Sequence, residues 1–204
     1  MMSYIMKVDR QNISDQDMAL VASWRRGDIS SFEALVRKYQ KRILNIAFRI
    51  TDSYEDACEV TQDAFVAVYK GIDTFRGEAS FSTWLTSITL NLSRDRYRQN
   101  QTKRRNEVCY LDGPLADGED ATRPDLPSPG PTVLEKLERS AFHERLMQCI
   151  KALSIEFRET LVLRDLQEYS YREICDILEL REGTVKSRLF RARDMVKDCL
   201  KNGL

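Results

Sequence analysis

The chain has 204 residues, with 32 Lys and Arg against 32 Asp and Glu, so its formal net charge is zero although charged side chains make up 31% of it. At roughly 100–200 residues per domain there is room for one ordinary domain or two small ones, and a uniformly basic nucleic-acid coat is excluded, so any polyanion surface must be made by segregating charge. The 42% hydrophobic share, with 8 Gly and 5 Pro, belongs to a globular, helix-tolerant chain rather than a disordered or collagen-like one.

No charge-free stretch approaches the roughly 20 apolar residues of a membrane span. The first residues, MMSYIMKVDRQN, hold no apolar run that could form a signal-peptide core, so a cytoplasmic protein without membrane insertion is expected. The five cysteines (Cys58, Cys109, Cys149, Cys175, Cys199) are odd in number and lack a C-x-x-C pair, which predicts buried free thiols rather than a disulfide framework or a zinc site. His143 is the one histidine, with no metal-ligand spacing around it, and no G-x-S-x-G, P-loop or G-x-G-x-x-G occurs. No metal, no cofactor and no enzymatic activity are expected.

Charge divides the chain in three. Residues 1–105 hold 17 basic and 13 acidic side chains, residues 106–131 one and six, and residues 132–204 14 and 13. The middle segment, NEVCYLDGPLADGEDATRPDLPSPGP, contains every proline of the chain and three of its glycines, a composition that builds neither helix nor core and therefore reads as an acidic tether. An all-α protein is predicted, two small helical domains at 1–105 and 132–204 joined by a flexible linker at 106–131.

In the first domain Phe32, Leu35, Val36, Tyr39, Ile43, Ile46, Ala47 and Ile50 recur at three- and four-residue steps, an amphipathic helix that Ser30 or Ser31 can cap. Thr51 or Ser53 opens a second helix carrying Val60, Ala64, Phe65 and Val68, its first half loaded with Glu55, Asp56, Glu59 and Asp63. Acids there suit the helix dipole, and the same stretch could equally dock a basic partner. After GIDTFRGEAS a third helix has Phe81, Leu85, Ile88 and Leu92 on one face at a period near 3.6, which outweighs the strand preference of its threonines. Trp84, Ser87, Asn91, Arg94 and Arg98 then form a second stripe, suited to stacking bases and holding phosphates or, alternatively, a half-buried ring beside a solvated helix end.

The second domain begins with Val133, Leu134, Leu137, Phe142, Leu146 and Ile150 in helical spacing, followed by a helix over about 155–166. Ser170-Tyr-Arg-Glu173 is a capping-box pattern ahead of Ile174, Ile177 and Leu178, and after a turn around 180–183 the segment TVKSRLFRARDMVKDCL makes a longer helix. Short helix, tight turn, longer helix is the pattern of a helix-turn-helix. Val185, Leu189, Ala192, Val196 and Cys199 fall on its inner face and Lys186, Ser187, Phe190 and Arg191 on its outer face. A Phe among cations fits a major groove, where it can touch a thymine methyl, better than a plain solvated hairpin.

These segments carry a resemblance. DACEVTQDAFVAVYKGIDTFRGEASFSTWLTSITLNLSRDRYR resembles region 2 of bacterial sigma factors of the extracytoplasmic-function (ECF) type, and YSYREICDILELREGTVKSRLFRARD resembles their region 4. The resemblance implies a promoter-specificity subunit that joins core RNA polymerase, directs transcription initiation and commonly pairs with an anti-sigma factor. It implies that Asp56, Glu59, Gln62 and Asp63 face the polymerase clamp. Phe75, Arg76, Asn91 and Arg94, with the stripe residues Trp84 and Arg98, would hold the melted minus-ten strand, one base flipped into a pocket. Lys186, Ser187, Phe190 and Arg191 would read the minus-thirty-five duplex. Arg181 stands where many members have Pro before E-G-T-V, a departure that bears on the shape of the turn. An ordinary helix-turn-helix regulator acting without polymerase, and a helical protein-binding adaptor, are the competing readings.

Overall fold

The computed structural model describes residues 15–102 and 141–202 in full and the backbone of 103–108 and 133–140. Among the described residues there is no strand. The N-terminal module consists of α1 (residues 15–25), α2 (Ile29–Thr51), α3 (Tyr54–Gly71), a 3-10 turn (Ile72–Thr74) and α4 (Phe81–Val108). The C-terminal module consists of α5 (Val133–Ala152), α6 (Ile155–Leu161) with a π turn (Val162–Leu166), α7 (Tyr171–Leu178) and α8 (Glu182–Asn202). Residues 106–108, expected to open the tether, continue α4; the rest of that segment, from residue 109 and including Cys109, lies outside the described residues.

Helix boundaries follow the capping chemistry, with one correction. Asp28, rather than Ser30 or Ser31, caps α2: its carboxylate accepts the Ser30 backbone N–H at 3.1 Å and the hydroxyls of Ser30 and Ser31, each at 2.6 Å. The serines act as donors to the cap, and their hydroxyls hold the Asp28 carboxyl below the usual carboxylate range. Ser53 caps α3 as expected, and Ser170 with Glu173 forms a complete capping box on α7. The turn into α8 closes without proline: Glu179 takes a left-handed φ of 54°, and the Arg181 carbonyl accepts the N–H groups of Thr184 and Val185.

Helix α1 was not anticipated from the sequence. Its Val21 and Trp24 are buried, and Asp17, also buried, receives hydrogen bonds from Tyr39 and Lys38 of α2. Burial and the Asp17 carboxylate together push the Tyr39 phenol well above its ordinary range.

Leu35, Ile43, Ile46 and Ile50 of α2 meet Ala64, Phe65 and Val68 of α3 and Phe81 and Leu85 of α4 in one core. That core does not stop at the module boundary: Leu163, Tyr169, Ile174 and Ile177 belong to it. This explains why α4 departs from the predicted wheel. Phe81 and Leu85 are buried, but Ile88 and Leu92 are only partly so, while Thr83, Thr86, Thr89 and Ser93 are fully buried. Small hydroxyl side chains let a second module approach, and several satisfy themselves on the helix, Thr89 on the Leu85 carbonyl and Ser93 on the Thr89 carbonyl, both at 2.8 Å.

The cysteine expectation is overturned. Cys149 and Cys199, 50 residues apart, form a disulfide with Cα atoms 5.8 Å apart, while Cys58 and Cys175 are free. An odd count leaves room for one bridge, and pairing across 50 residues becomes visible only when α5 lies against α8 with both cysteines on the inner faces. Closing a loop of that length removes unfolded-state entropy worth about 4 kcal/mol by the chain-entropy account. Reduction, or Cys199→Ala, should therefore lower the urea midpoint of the C-terminal module, and alkylation masses before and after reduction should differ by two cysteines.

Candidate nucleic-acid and partner interfaces

The loop between the 3-10 turn and α4 is built to be rigid. The Arg25 guanidinium donates to the Ile72 carbonyl at 2.8 Å and to the Phe75 carbonyl, pinning the loop to α1. Gly77 takes φ +74°, a conformation that other L residues rarely adopt, so the backbone favours glycine there. The Phe75 ring is buried, stacked on Trp84 at 4.8 Å and edge-on to Phe81 at 6.1 Å. Beside this stack opens a cleft of about 230 Å³ lined by Phe75, Arg76, Thr83, Trp84, Ser87 and, from the other module, Asp176. Phe75 is thus a wall of the cleft rather than an exposed contact, while Arg76 is exposed and Trp84 half-buried.

The stripe along α4 forms as read from the wheel: Asn91 and Arg98 are exposed, Ser87 and Arg94 half-buried. Arg94 is fully engaged. Its Nε and Nη2 donate to the two carboxylate oxygens of Glu159 on α6 at 2.6 and 2.8 Å, and its Nη1 donates to Asn91 Oδ1 at 2.8 Å. The Glu159 hydrogen bond is the main reason the Arg94 pKa lies above its ordinary value. Glu159 is 3% exposed. Removing one partner of a buried, hydrogen-bonded ion pair costs about 3–5 kcal/mol, against about 0–1 kcal/mol for surface pairs such as Arg37 with Glu33 or Arg98 with Asp95. Among these pairs, Arg94–Glu159 is the one that matters for how the modules sit.

On α3, Gln62 and Asp63 are exposed. Asp56 and Glu59 are tied down by α4: Arg96 reaches both, and the Asn100 amide donates to Asp56 at 2.7 Å. Asp56 and Glu59 therefore join α3 to α4, Glu59 remaining exposed beside Gln62 and Asp63. On α8 the predicted division holds except at Cys199, which is half-buried and bonded to Cys149. Val185, Leu189, Ala192 and Val196 are buried, Lys186, Ser187 and Arg191 are exposed, and Phe190 is 73% exposed. Lys186 is drawn to Glu182 one turn back at 2.6 Å, which raises its pKa, and sits 5.7 Å over the Tyr171 ring.

Sequence reasoning missed Arg25, Arg158 and Glu159. The last two could have been flagged, since Arg158 and Glu159 share the helical face of Ile155 and Val162, where a charge needs a partner.

A rigid aromatic cleft with a basic stripe on one helical module, and a helix-turn-helix on the other, define a two-module all-helical protein of the DNA-binding type. Residues 35–103 match the family Sigma-70 region 2, and residues 143–196 match Sigma-70, region 4. The chain is 32% identical over 187 residues to the RNA polymerase sigma-H factor of Pseudomonas aeruginosa, covering 91% of this chain and 94% of that one. It is 32% identical over 183 residues to the ECF RNA polymerase sigma-E factor of Escherichia coli K12, covering 88% and 92%. Among solved structures it is similar to CnrH in complex with the cytosolic domain of CnrY, with a TM-score of 0.66, 24% identity and coverage of 93% and 99%. It is also similar to the sigma factor RpoE in complex with the anti-sigma factor NepR from Bartonella quintana, with a TM-score of 0.60, 22% identity and coverage of 85% and 98%. The chain belongs to the sigma-70 family of RNA polymerase sigma factors, in its ECF branch. The all-α, two-module fold read from the sequence is the fold observed. Among the described residues no helix is long and apolar enough to cross a membrane.

Because Arg25 alone staples the Phe75 loop to α1 through two carbonyls, Arg25→Ala should speed tryptic cleavage after Arg76 severalfold while leaving the far-ultraviolet circular dichroism spectrum unchanged.

Proposed function

We propose that this sigma factor binds core RNA polymerase through the exposed part of α3, melts the minus-ten element over the cleft and stripe of α4, and reads the minus-thirty-five element with α8. It acts by recognition, and the chemistry of transcription belongs to the polymerase. The observation that carries this reading is the presence, in one chain, of two differently built surfaces. One is a rigid aromatic cleft flanked by Arg76, Asn91 and Arg94, suited to an unstacked base and its backbone. The other is a helix with a buried apolar face and an outward Lys186, Ser187, Phe190 and Arg191, suited to base edges in a major groove.

A single-strand surface is of use only where something opens the duplex, and the polymerase is the partner that does so. Of the predicted clamp residues, Glu59, Gln62 and Asp63 are presented to solvent, Glu59 while paired with Arg96, whereas the half-buried Asp56 is held by Arg96 and Asn100. The solved structures that this fold is similar to are complexes with CnrY and with the anti-sigma factor NepR, which supports a protein inhibitor of the same kind as a further partner. The protein then acts in the cytoplasm, where polymerase and promoter are found.

A gel shift on promoter DNA, with and without core polymerase, tests the reading: a shift should require both proteins, and nanomolar binding of duplex by the free chain at physiological salt would contradict it. Asp63→Lys should weaken holoenzyme assembly with the helical spectrum intact. Arg191→Ala should relax specificity at one upstream base pair by ~1–3 kcal/mol if the side chain holds a base, or lower the salt slope by about one unit if it holds a phosphate. Holoenzyme affinity across upstream-element variants at two salt concentrations reads both.

A further inference from the structure

The minus-ten surface proposed above is the surface against which the C-terminal module packs. Three of the five N–H groups of Arg94 are taken, two by the Glu159 carboxylate and one by Asn91, so the Nε–Nη2 edge that could grip a phosphate through two bonds is already filled. A carboxylate gripping a guanidinium through two parallel bonds is the protein equivalent of a phosphate oxygen pair. Asp176, at the edge of α7, adds a second acid to the lining of the cleft.

Around this pair the modules are joined by specific contacts. The Tyr169 hydroxyl lies 2.6 Å from Thr86 Oγ1 and 2.9 Å from Ser82 Oγ on α4, with the Arg42 guanidinium 4.3 Å over its ring. Arg42 also donates to the Gln167 carbonyl at 2.7 Å, Arg158 donates to the Ile50 carbonyl at 3.2 Å, and Lys151 pairs with Asp52. These polar side chains reach across beside the apolar core that Leu163, Tyr169, Ile174 and Ile177 share with the N-terminal module. The contacts leave two surfaces uncovered: Gln62 and Asp63 on α3, and Lys186, Ser187, Phe190 and Arg191 on α8, are all exposed in this arrangement.

We propose that Glu159 is an internal latch: it holds Arg94 as a mimic of the DNA backbone, so that the free chain is shut over its minus-ten surface while its polymerase-facing and upstream-reading surfaces stay open. Core polymerase is then captured by the shut form, and the single-strand surface is exposed when the modules separate. This rests on the assignment of Asn91 and Arg94 to the melted strand.

The latch is tested on the full free chain with Glu159→Ala, and with the near-isosteric Glu159→Gln should the alanine variant lose its helical spectrum. Small-angle scattering reads closure without reference to DNA, and fluorescence anisotropy with a labelled 12-nucleotide single strand of mixed sequence reads access to the surface. If the shut form dominates, apparent affinity is reduced by the fraction open, and unlatching should enlarge the radius of gyration and tighten strand binding about tenfold or more. An unchanged radius with unchanged affinity overturns the latch. An enlarged radius without tighter binding overturns the masking. Failure of the underlying assignment shows separately, as normal permanganate-detected opening by holoenzyme carrying Asn91→Ala.

Discussion

On the proposed reading, helix α4 supplies one set of outward side chains to two competing partners, the C-terminal module and the promoter strand. Its inner face closes the N-terminal core through Phe81 and Leu85, while the next face around, Thr86, Ser82 and Arg94, meets Tyr169 and Glu159 of the other module. The Nε–Nη2 edge of Arg94 can grip one carboxylate or one phosphate through two bonds, not both at once. Much of the rest follows from that constraint. The buried face of α4 is rich in Thr and Ser because a helix with neighbours on two sides needs short side chains that satisfy their own hydroxyls, as Thr89 and Ser93 do. The cleft is walled by residues from both modules because the second covers what the first presents.

The two modules are held internally by different means. The N-terminal one is stiffened by aromatic stacking and by long side chains that cross between helices, Arg25 onto the Phe75 loop, Lys38 and Tyr39 onto Asp17, and Arg96 onto Asp56 and Glu59. The C-terminal one has a smaller core, in which Cys149, Ile150 and Leu153 meet Leu189, Ala192 and Val196, and it adds the Cys149–Cys199 bridge. Small helical domains bury a low share of their surface, and a cross-link offsets that deficit. The residues proposed to read DNA on α8 lie on the side away from this core, so a substitution at Phe190 or Arg191 is expected to leave the packing largely unchanged.

Much of this was legible in the sequence, where local rules decide. Ser53, the Ser170–Glu173 box and the two faces of α8 depend on residues three or four apart, which hydrophobic period and capping chemistry read directly. What escaped depends on distant partners. Asp17 meets Tyr39, Glu159 meets Arg94 across 65 residues, and Cys149 meets Cys199 across 50. Nothing within one helical turn announces such pairs. Phe75 was read as a contact through the resemblance alone, and it is buried where Arg25, 50 residues back, ties that loop to the core. Asp28 outcompeted Ser30 and Ser31 as a cap because an ionised carboxylate accepts more strongly than a hydroxyl.

The central claim is that one face of α4 serves the C-terminal module in the free chain and the promoter strand in the working complex. Energy transfer between dyes at positions 37 and 194, both exposed and on different modules, measures this most directly, in a chain whose other reactive thiols have been replaced. Efficiency should be high for the free protein and fall sharply once core polymerase and promoter DNA have formed the open complex. An efficiency that stays the same from free chain to open complex would contradict the account.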